Sequence, residues 1–286
     1  MFSRLAVVWL LVIAFSGCTG LFFQPMRAHV VDPETMGFVY DDVNFEAADG
    51  TRLHGWFFPA KGERIGSVLF LHGNAENIST HFANVAWLAE AGIDAFVFDY
   101  RGYGKSEGDP TLEGLHLDAA AALDTLIAMD GVEPERIAVF GQSLGGAIAL
   151  HMVAETPHKE QLAGLVVEGA FSGYRSIARE KLAKFWLTWP LQGPLGLTID
   201  DSFSPIRAAV DLAPLPLLII HGQKDQVIPP HHGEALFDAA GEPKTIWRPP
   251  NAGHIQALAN LQMRDRLKAY LTSIFTGETP ETRMRE

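Results

Sequence analysis

The sequence predicts an α/β protein with a mostly parallel sheet that is covered by helices on both faces. Short apolar runs, typical of buried parallel strands, alternate with stretches of helical spacing from residue 68 to residue 275. A second observation is local. The apolar run 137–140 leads directly into Gly141-Gln142-Ser143-Leu144-Gly145, and a helix of small residues follows from residue 146 to 153. A strand, a sharp turn and a helix around G-x-S-x-G form the arrangement called a nucleophile elbow, in which the serine hydroxyl is exposed above the sheet.

The individual elements follow from residue spacing. Residues 38–47 and 53–58 alternate apolar and polar side chains around Asp49-Gly50, which predicts an antiparallel hairpin at one edge of the sheet. Further strands are predicted at residues 68–71, 93–98, 137–140, 165–167, 215–220 and 244–247. Further helices are predicted at residues 82–91, 112–129, 233–240 and about 255–275.

The length and composition suit one large domain, predicted over residues 37–276, with a tail at residues 277–286. Apolar residues make up 48% of the 286-residue chain and charged residues 20%, so the chain is globular rather than disordered. The net charge of −12 argues against nucleic acid as a partner, because phosphate binding needs a basic surface. Nothing in the sequence indicates an oligomeric state.

The first 18 residues are predicted to be an export signal. Arg4 precedes an unbroken apolar run at residues 5–15, and small residues then lead to Cys18, the only cysteine. The run is shorter than the roughly 20 residues that cross a bilayer. The segment 15–18 resembles a bacterial lipoprotein box, which implies lipidation of Cys18 and residence in the cell envelope. Thr19 in place of Asp implies the outer membrane. A plain signal peptide or an uncleaved anchor is the alternative, and residues 19–36 are predicted to form a tether.

Residues 170–212 separate two core strands by more than a crossover helix requires. This segment is rich in aromatic and aliphatic side chains. We interpret it as a short cap that supplies apolar walls for a substrate, and a helix with a packed loop is the alternative.

The residues of a hydrolytic site occur in the order Ser143, Asp225, His254. Ser143 is the candidate nucleophile, since glycines on both sides of it permit a strained turn. His254 follows the last predicted strand and is the candidate base, because imidazole exchanges protons near neutral pH. Asp225 follows the preceding strand and is the candidate acid that orients His254. Glu168 is a second possible acid, or a structural group.

Hydrolysis of an ester also requires donors for an oxyanion. The backbone N–H of Leu144 follows the nucleophile and opens a helix, so it is the first candidate. The second is the backbone N–H of Asn74, in the loop after the strand at residues 68–71, where Gly73 permits a tight turn.

Five motifs in order resemble the α/β-hydrolase superfamily, and more narrowly its small serine esterase, lysophospholipase and aminopeptidase-like branch. They are His72-Gly-Asn, Asp99-Tyr-Arg-Gly-Tyr-Gly-Lys-Ser106, Gly141-Gln-Ser-Leu-Gly145, His221-Gly-Gln-Lys-Asp225 and Gly253-His254. The resemblance covers residues 42–271 and implies the α/β-hydrolase fold. The loop at residues 99–106 is then a structural turn.

Together these observations predict a serine hydrolase that cleaves carboxylic esters or thioesters through an acyl-enzyme. Its expected partner is a small-molecule or lipid-like acyl substrate, and no cofactor is expected. No catalytic metal is predicted, because the sequence lacks ligand spacing such as H-E-x-x-H. A peptidase or amidase with the same three residues is the alternative, as is a catalytically silent envelope binding protein on this scaffold.

Overall fold

A computed structural model describes residues 23–183, 197 and 199–277. Within them the strands, in chain order, are β1 (Gln24–Pro25), β2 (Asp41–Glu46), β3 (Arg52–Phe58), β4 (Gly66–Leu71), β5 (Ala75–Glu76), β6 (Ile93–Asp99), β7 (Ile137–Gln142), β8 (Gly164–Glu168), β9 (Leu217–Ile220) and β10 (Lys244–Trp247). The α-helices are α1 (Ile78–His81), α2 (Leu112–Ile127), α3 (Leu144–Glu155), α4 (Tyr174–Ala183), α5 (Pro205–Val210), α6 (His231–Ala239) and α7 (Leu261–Thr276).

Eight of these strands form one sheet in the order β10-β9-β8-β7-β4-β6-β3-β2. All neighbours from β10 to β6 pair in parallel, whereas β3 pairs antiparallel with β6 and with β2. The predicted fold class and the hairpin at one edge are therefore confirmed. The carboxyl ends of β7, β8 and β9 meet at one edge of the sheet, where ligand sites of such folds lie.

The core lies on both faces of the sheet, which explains why its central strands are apolar throughout. On one face, α2, α3 and α6 pack with side chains such as Leu115, Ile148 and Leu236. On the other face, α7 packs together with the chain after α1, through side chains such as Phe82 and Leu271.

Two predicted helices differ from the structure by more than one or two end residues, one in its helix type and the other in its start. The helix predicted at residues 82–91 consists of two 3₁₀ helices, Phe82–Asn84 and Ala86–Ala91. The closing helix, predicted from about residue 255, begins at Leu261, where the Asn260 side chain accepts a hydrogen bond from the Gln262 N–H. Residues 251–260 instead form a loop with one 3₁₀ turn, Ala257–Ala259.

The N-terminal segment 23–36, predicted as part of a tether, lies against the domain. Strand β1 pairs in parallel with β5. The Asn77 side-chain amide donates to the carbonyls of Met26 (2.9 Å) and Ala28 (2.7 Å), and Arg27 donates to the carbonyl of Gly108 (2.8 Å). These contacts are strand pairing and side-chain hydrogen bonds to distant backbone carbonyls, so they produce no apolar period in the sequence.

Several predicted segments fall outside the described residues. They include the signal at residues 1–18 with Cys18, the start of the tether, residues 184–196 and 198 of the cap, and nearly all of the C-terminal tail. Among the described residues, no helix combines the length and the apolar character that crossing a membrane requires. In the described part of the cap, Phe171 and Tyr174 meet edge to face with ring centroids 4.9 Å apart.

Candidate active site

Ser143 occupies a strained turn between β7 and α3. Its backbone has φ 54° and ψ −116°, a conformation that costs free energy for a residue with a side chain. The glycines on either side are required by packing. A Cβ at Gly141 would collide with the Gly145 carbonyl, and a Cβ at Gly145 would collide with the carbonyl of Leu71. The turn therefore holds Ser143 in one position at the carboxyl edge of the sheet.

Ser143, His254 and Asp225 lie in one chain of hydrogen bonds. The distance from Ser143 Oγ to His254 Nε2 is 3.0 Å, and the distance from His254 Nδ1 to Asp225 Oδ2 is 2.7 Å. The imidazole also lies against Gly169, where a Cβ would be 3.2 Å from Nδ1. The structure thus brings together three residues that come from three different loops.

Asp225 is a buried carboxylate with a fixed orientation. Its Oδ1 accepts hydrogen bonds from the backbone N–H groups of Val227 and Ile228, both 2.8 Å long. Burial raises the pKa of Asp225, but the hydrogen bond from His254 and these two N–H groups outweigh burial, so the pKa lies below its ordinary value. The His221 ring supports the same loop by donating to the Ile228 carbonyl (2.9 Å).

This arrangement sets the protons of the imidazole. A carboxylate only accepts hydrogen bonds, so the proton of His254 must be on Nδ1, facing Asp225. The lone pair of Nε2 then faces the hydroxyl of Ser143. A hydroxyl, a basic imidazole nitrogen and a carboxylate in this order can transfer a proton from the hydroxyl to the ring.

The predicted oxyanion donors belong to two segments that meet at the nucleophile turn. Leu144 is the first residue of α3. The loop with Gly73 and Asn74 passes Ser143 closely, since a Cβ at Gly73 would lie 3.6 Å from Ser143 Cβ. The Tyr103 hydroxyl donates to the Asn74 carbonyl (2.8 Å). The loop at residues 99–106, to which we assigned no chemistry, therefore helps to hold Asn74.

Glu168 contacts the frame of the site rather than the imidazole. Its carboxylate accepts hydrogen bonds from Gln142 Nε2 (2.7 Å) and from the backbone N–H of Ala257 (2.8 Å). Gln142 Oε1 in turn accepts from the Asn84 amide (2.9 Å). Burial raises the pKa of Glu168. Glu168 thus joins the residue before Ser143 to the loop that carries His254. This link could not be predicted from the sequence, because it depends on the pairing of Gln142 with Glu168 at the ends of β7 and β8.

Two groups of side chains elsewhere in the described residues bring possible metal ligands together. One consists of His29, His54 and Asp99, and the other of Glu180, His231 and His232. Neither group includes Ser143, Asp225 or His254.

Comparison with solved structures and protein families agrees with this fold. The family described as serine aminopeptidase, S33, matches residues 62–199. An esterase from Pyrococcus furiosus superposes with a TM-score of 0.69 at 19% sequence identity, over 89% of this chain and 99% of that one. At this level of identity the likeness is one of fold.

Sequence relatives define the family. The chain is 37% identical to protein YfhR of Escherichia coli K12, over 77% of this chain and 75% of the relative. It is 31% identical to the α/β-hydrolase domain-containing protein WAV2 of Arabidopsis thaliana, over 75% of this chain and 71% of the relative. The chain belongs to the α/β-hydrolase superfamily.

Proposed function

We propose that this protein is a serine hydrolase that cleaves carboxylic esters or thioesters through an acyl-enzyme. Ser143 is the nucleophile, His254 the general base and Asp225 the acid that orients it. The observation that supports this most is the continuous hydrogen-bond chain from Ser143 Oγ through His254 to Asp225 Oδ2, with links of 3.0 and 2.7 Å.

In the proposed reaction, Ser143 Oγ attacks the carbonyl carbon while its proton moves to His254 Nε2. The carbonyl π electrons move to oxygen, and the backbone N–H groups of Leu144 and Asn74 stabilise the resulting oxyanion. Collapse of this intermediate breaks the bond to the leaving alcohol or thiol, which takes the proton from His254. Water then attacks the acyl-enzyme by the same steps, releasing the carboxylic acid and free Ser143.

A peptidase or amidase with the same mechanism is the second candidate, and the aminopeptidase description of the matching family favours it. The two candidates differ in the leaving group. An amide nitrogen must be protonated by His254 as it leaves, whereas an ester alcohol is a better leaving group. A peptidase would therefore also cleave p-nitrophenyl acyl esters, and the two candidates are separated by the anilides. Ester turnover without measurable turnover of aminoacyl anilides supports the first candidate, whereas efficient anilide turnover supports the second.

Rates with these two substrate series, measured on the detergent-purified full chain, test the proposal. We expect Ser143→Ala to lower ester turnover by a factor on the order of 10⁴ or more. Thr35→Ala removes an exposed hydroxyl outside residues 170–212 and is the matched control, which should retain full activity. Equal turnover in both variants would exclude Ser143 as the nucleophile. A chain-length series of acyl esters would then identify the preferred acyl group.

We also propose that lipidated Cys18 anchors the protein to the bacterial cell envelope, favouring the outer membrane. Gln24 lies six positions after Cys18, and even a fully extended chain of that length spans only about 20 Å. Gln24 pairs with Ala75, which follows Asn74. An anchor at Cys18 would thus hold the site near the bilayer, where lipid-like acyl esters are concentrated.

The anchor is tested independently of catalysis. Cys18→Ser should abolish acyl labelling and release the protein from the membrane fraction, while ester turnover by the purified variant remains unchanged. Membrane retention equal to that of the wild type would refute the lipid anchor. Because its net charge is −12, the protein is not proposed to bind nucleic acid.

A further inference from the structure

Three side chains that play no part in the proposed reaction converge beside the sheet. His29 comes from the N-terminal segment, His54 from β3 and Asp99 from the end of β6. Asp99 is fully buried and His54 is 4% exposed. One ligand atom from each residue lies within 4.8 Å of those of the other two, and His29 Nε2 is 2.7 Å from Asp99 Oδ2.

The hydrogen bonds of His54 determine which ring nitrogen is free. Its Nε2 is 2.5 Å from the Asp42 carboxylate, which can only accept, so the ring proton is on Nε2. The lone pair is then on Nδ1. This atom is buried without a hydrogen-bond partner, and Asp99 Oδ2 lies 3.9 Å from it. Two lone-pair atoms therefore face each other at a distance too long for a hydrogen bond.

The distance between His54 Nδ1 and Asp99 Oδ2 suits a metal ion that bridges the two atoms. Zinc binds histidine nitrogen and carboxylate oxygen at about 2.0–2.2 Å, so two such bonds span up to roughly 4 Å. A carboxylate hydrogen-bonded to the outer nitrogen of a ligating imidazole is also the usual support of a metal-bound histidine. Asp42 supplies that support for His54.

The local charge also favours a cation. Two carboxylates lie against the two imidazoles, Asp99 beside His29 and Asp42 beside His54. The Lys105 ammonium, 3.6 Å from Asp42, is half-exposed and compensates only one of them.

The second group of possible ligands, Glu180, His231 and His232, does not offer a free ring nitrogen on each histidine. His232 Nδ1 accepts a hydrogen bond from the Ser172 backbone N–H (3.1 Å). The ring proton of neutral His232 is therefore on Nε2, the atom that faces Glu180, and this nitrogen has no lone pair to offer a metal. Only His231 and Glu180 then remain as possible ligands, with His231 Nε2 at 3.0 Å from Glu180 Oε1. His29 differs, because its Nδ1 has no hydrogen-bond partner. The ring proton of His29 can therefore move from Nε2 to Nδ1 and leave Nε2 free to bind a metal.

We propose that His29 Nε2, His54 Nδ1 and Asp99 Oδ2 form a binding site for a divalent transition-metal cation of the zinc class. Histidine nitrogen with one carboxylate oxygen is a ligand set that such metals favour. The cation has a structural role. Asp99 Oδ1 accepts the Ile78 N–H at the start of α1 (2.9 Å), so the metal would fasten the N-terminal segment to the element that follows the Asn74 loop.

Zinc binding to the chelator-treated full chain tests this proposal without reference to hydrolysis. Titration calorimetry should give one zinc ion per chain for the wild type and for the matched control His231→Gln. The double variant His29→Gln/His54→Gln should lose this binding. X-ray absorption at the zinc edge should show two imidazole ligands.

Asp42→Asn provides a second test, which does not require the double histidine variant to fold. Asp42 is half-exposed and touches no metal, yet loss of its charge should weaken zinc binding about 10- to 100-fold. Absence of stoichiometric zinc binding by the wild type would overturn the proposal. So would binding that His231→Gln removes, or binding that Asp42→Asn leaves unchanged.

Discussion

Replacing Asp225 by asparagine should remove most of the activity while leaving the shape of the site intact. In the structure, two backbone N–H groups donate to Asp225 Oδ1, and the His254 ring lies against Oδ2. The oxygen of an asparagine must remain with the two N–H donors, since reversing the amide would set three donors against one another. The amide NH₂ then faces His254 Nδ1.

The imidazole must respond to this change. Nδ1 of His254 becomes an acceptor, so the ring proton moves to Nε2, the nitrogen that faces Ser143. The Ser143 hydroxyl then has no base. Loss of the correct tautomer in this way lowers kcat by a factor of roughly 10⁴, which corresponds to about 5 kcal/mol of transition-state stabilisation.

The assay is steady-state hydrolysis of a p-nitrophenyl acyl ester at pH 8, with far-UV circular dichroism as the check of folding. Asp238→Asn changes an exposed aspartate on α6 and is the matched control, which should retain wild-type kcat. If Asp225→Asn is folded and its kcat stays within tenfold of the wild type, the orienting role assigned to this carboxylate is refuted.

Further variants test the frame of the site. Glu168→Gln places an amide NH₂ against either Gln142 or the Ala257 N–H, and this unpaired buried donor should lower the free energy of unfolding by about 1–3 kcal/mol in urea titrations. Gly145→Ala places a Cβ against the Leu71 carbonyl, so the free energy of unfolding should fall by about 1–3 kcal/mol or more in the same titrations. Asp99 has a pKa of about 2 against roughly 3.9 in an unfolded chain. Its stabilisation, on the order of 2–3 kcal/mol, is complete above pH 4 and lost as the pH falls towards 2. Acid titrations should therefore show a shallower fall for Asp99→Asn than for the wild type.

The sequence predicts the fold well where local pattern and tertiary packing agree. The apolar run at residues 137–140 becomes the centre of β7 because both faces of that strand are covered. Gly141 and Gly145 are fixed by close backbone contacts around Ser143, so the motif itself carries the geometry of the turn. The order of Ser143, Asp225 and His254 follows the order of the strands that precede them.

Other features depend on contacts that no local pattern encodes. The N-terminal segment is held by the Asn77 side chain and by pairing with β5. Both interactions engage backbone groups about fifty residues away along the chain. The closing helix begins late because residues 251–260 form the loop that carries His254. The cluster of His29, His54 and Asp99 draws on three separate segments, so ligand spacing along the chain could not reveal it.

The most direct test of the central claim is the covalent reaction of Ser143 with a fluorophosphonate, followed by intact mass and peptide mapping. The account predicts one adduct per chain, located on Ser143, with a labelling rate that falls steeply in His254→Ala. An adduct on another residue, or equal labelling rates with and without the imidazole, would contradict the activation of Ser143 by His254.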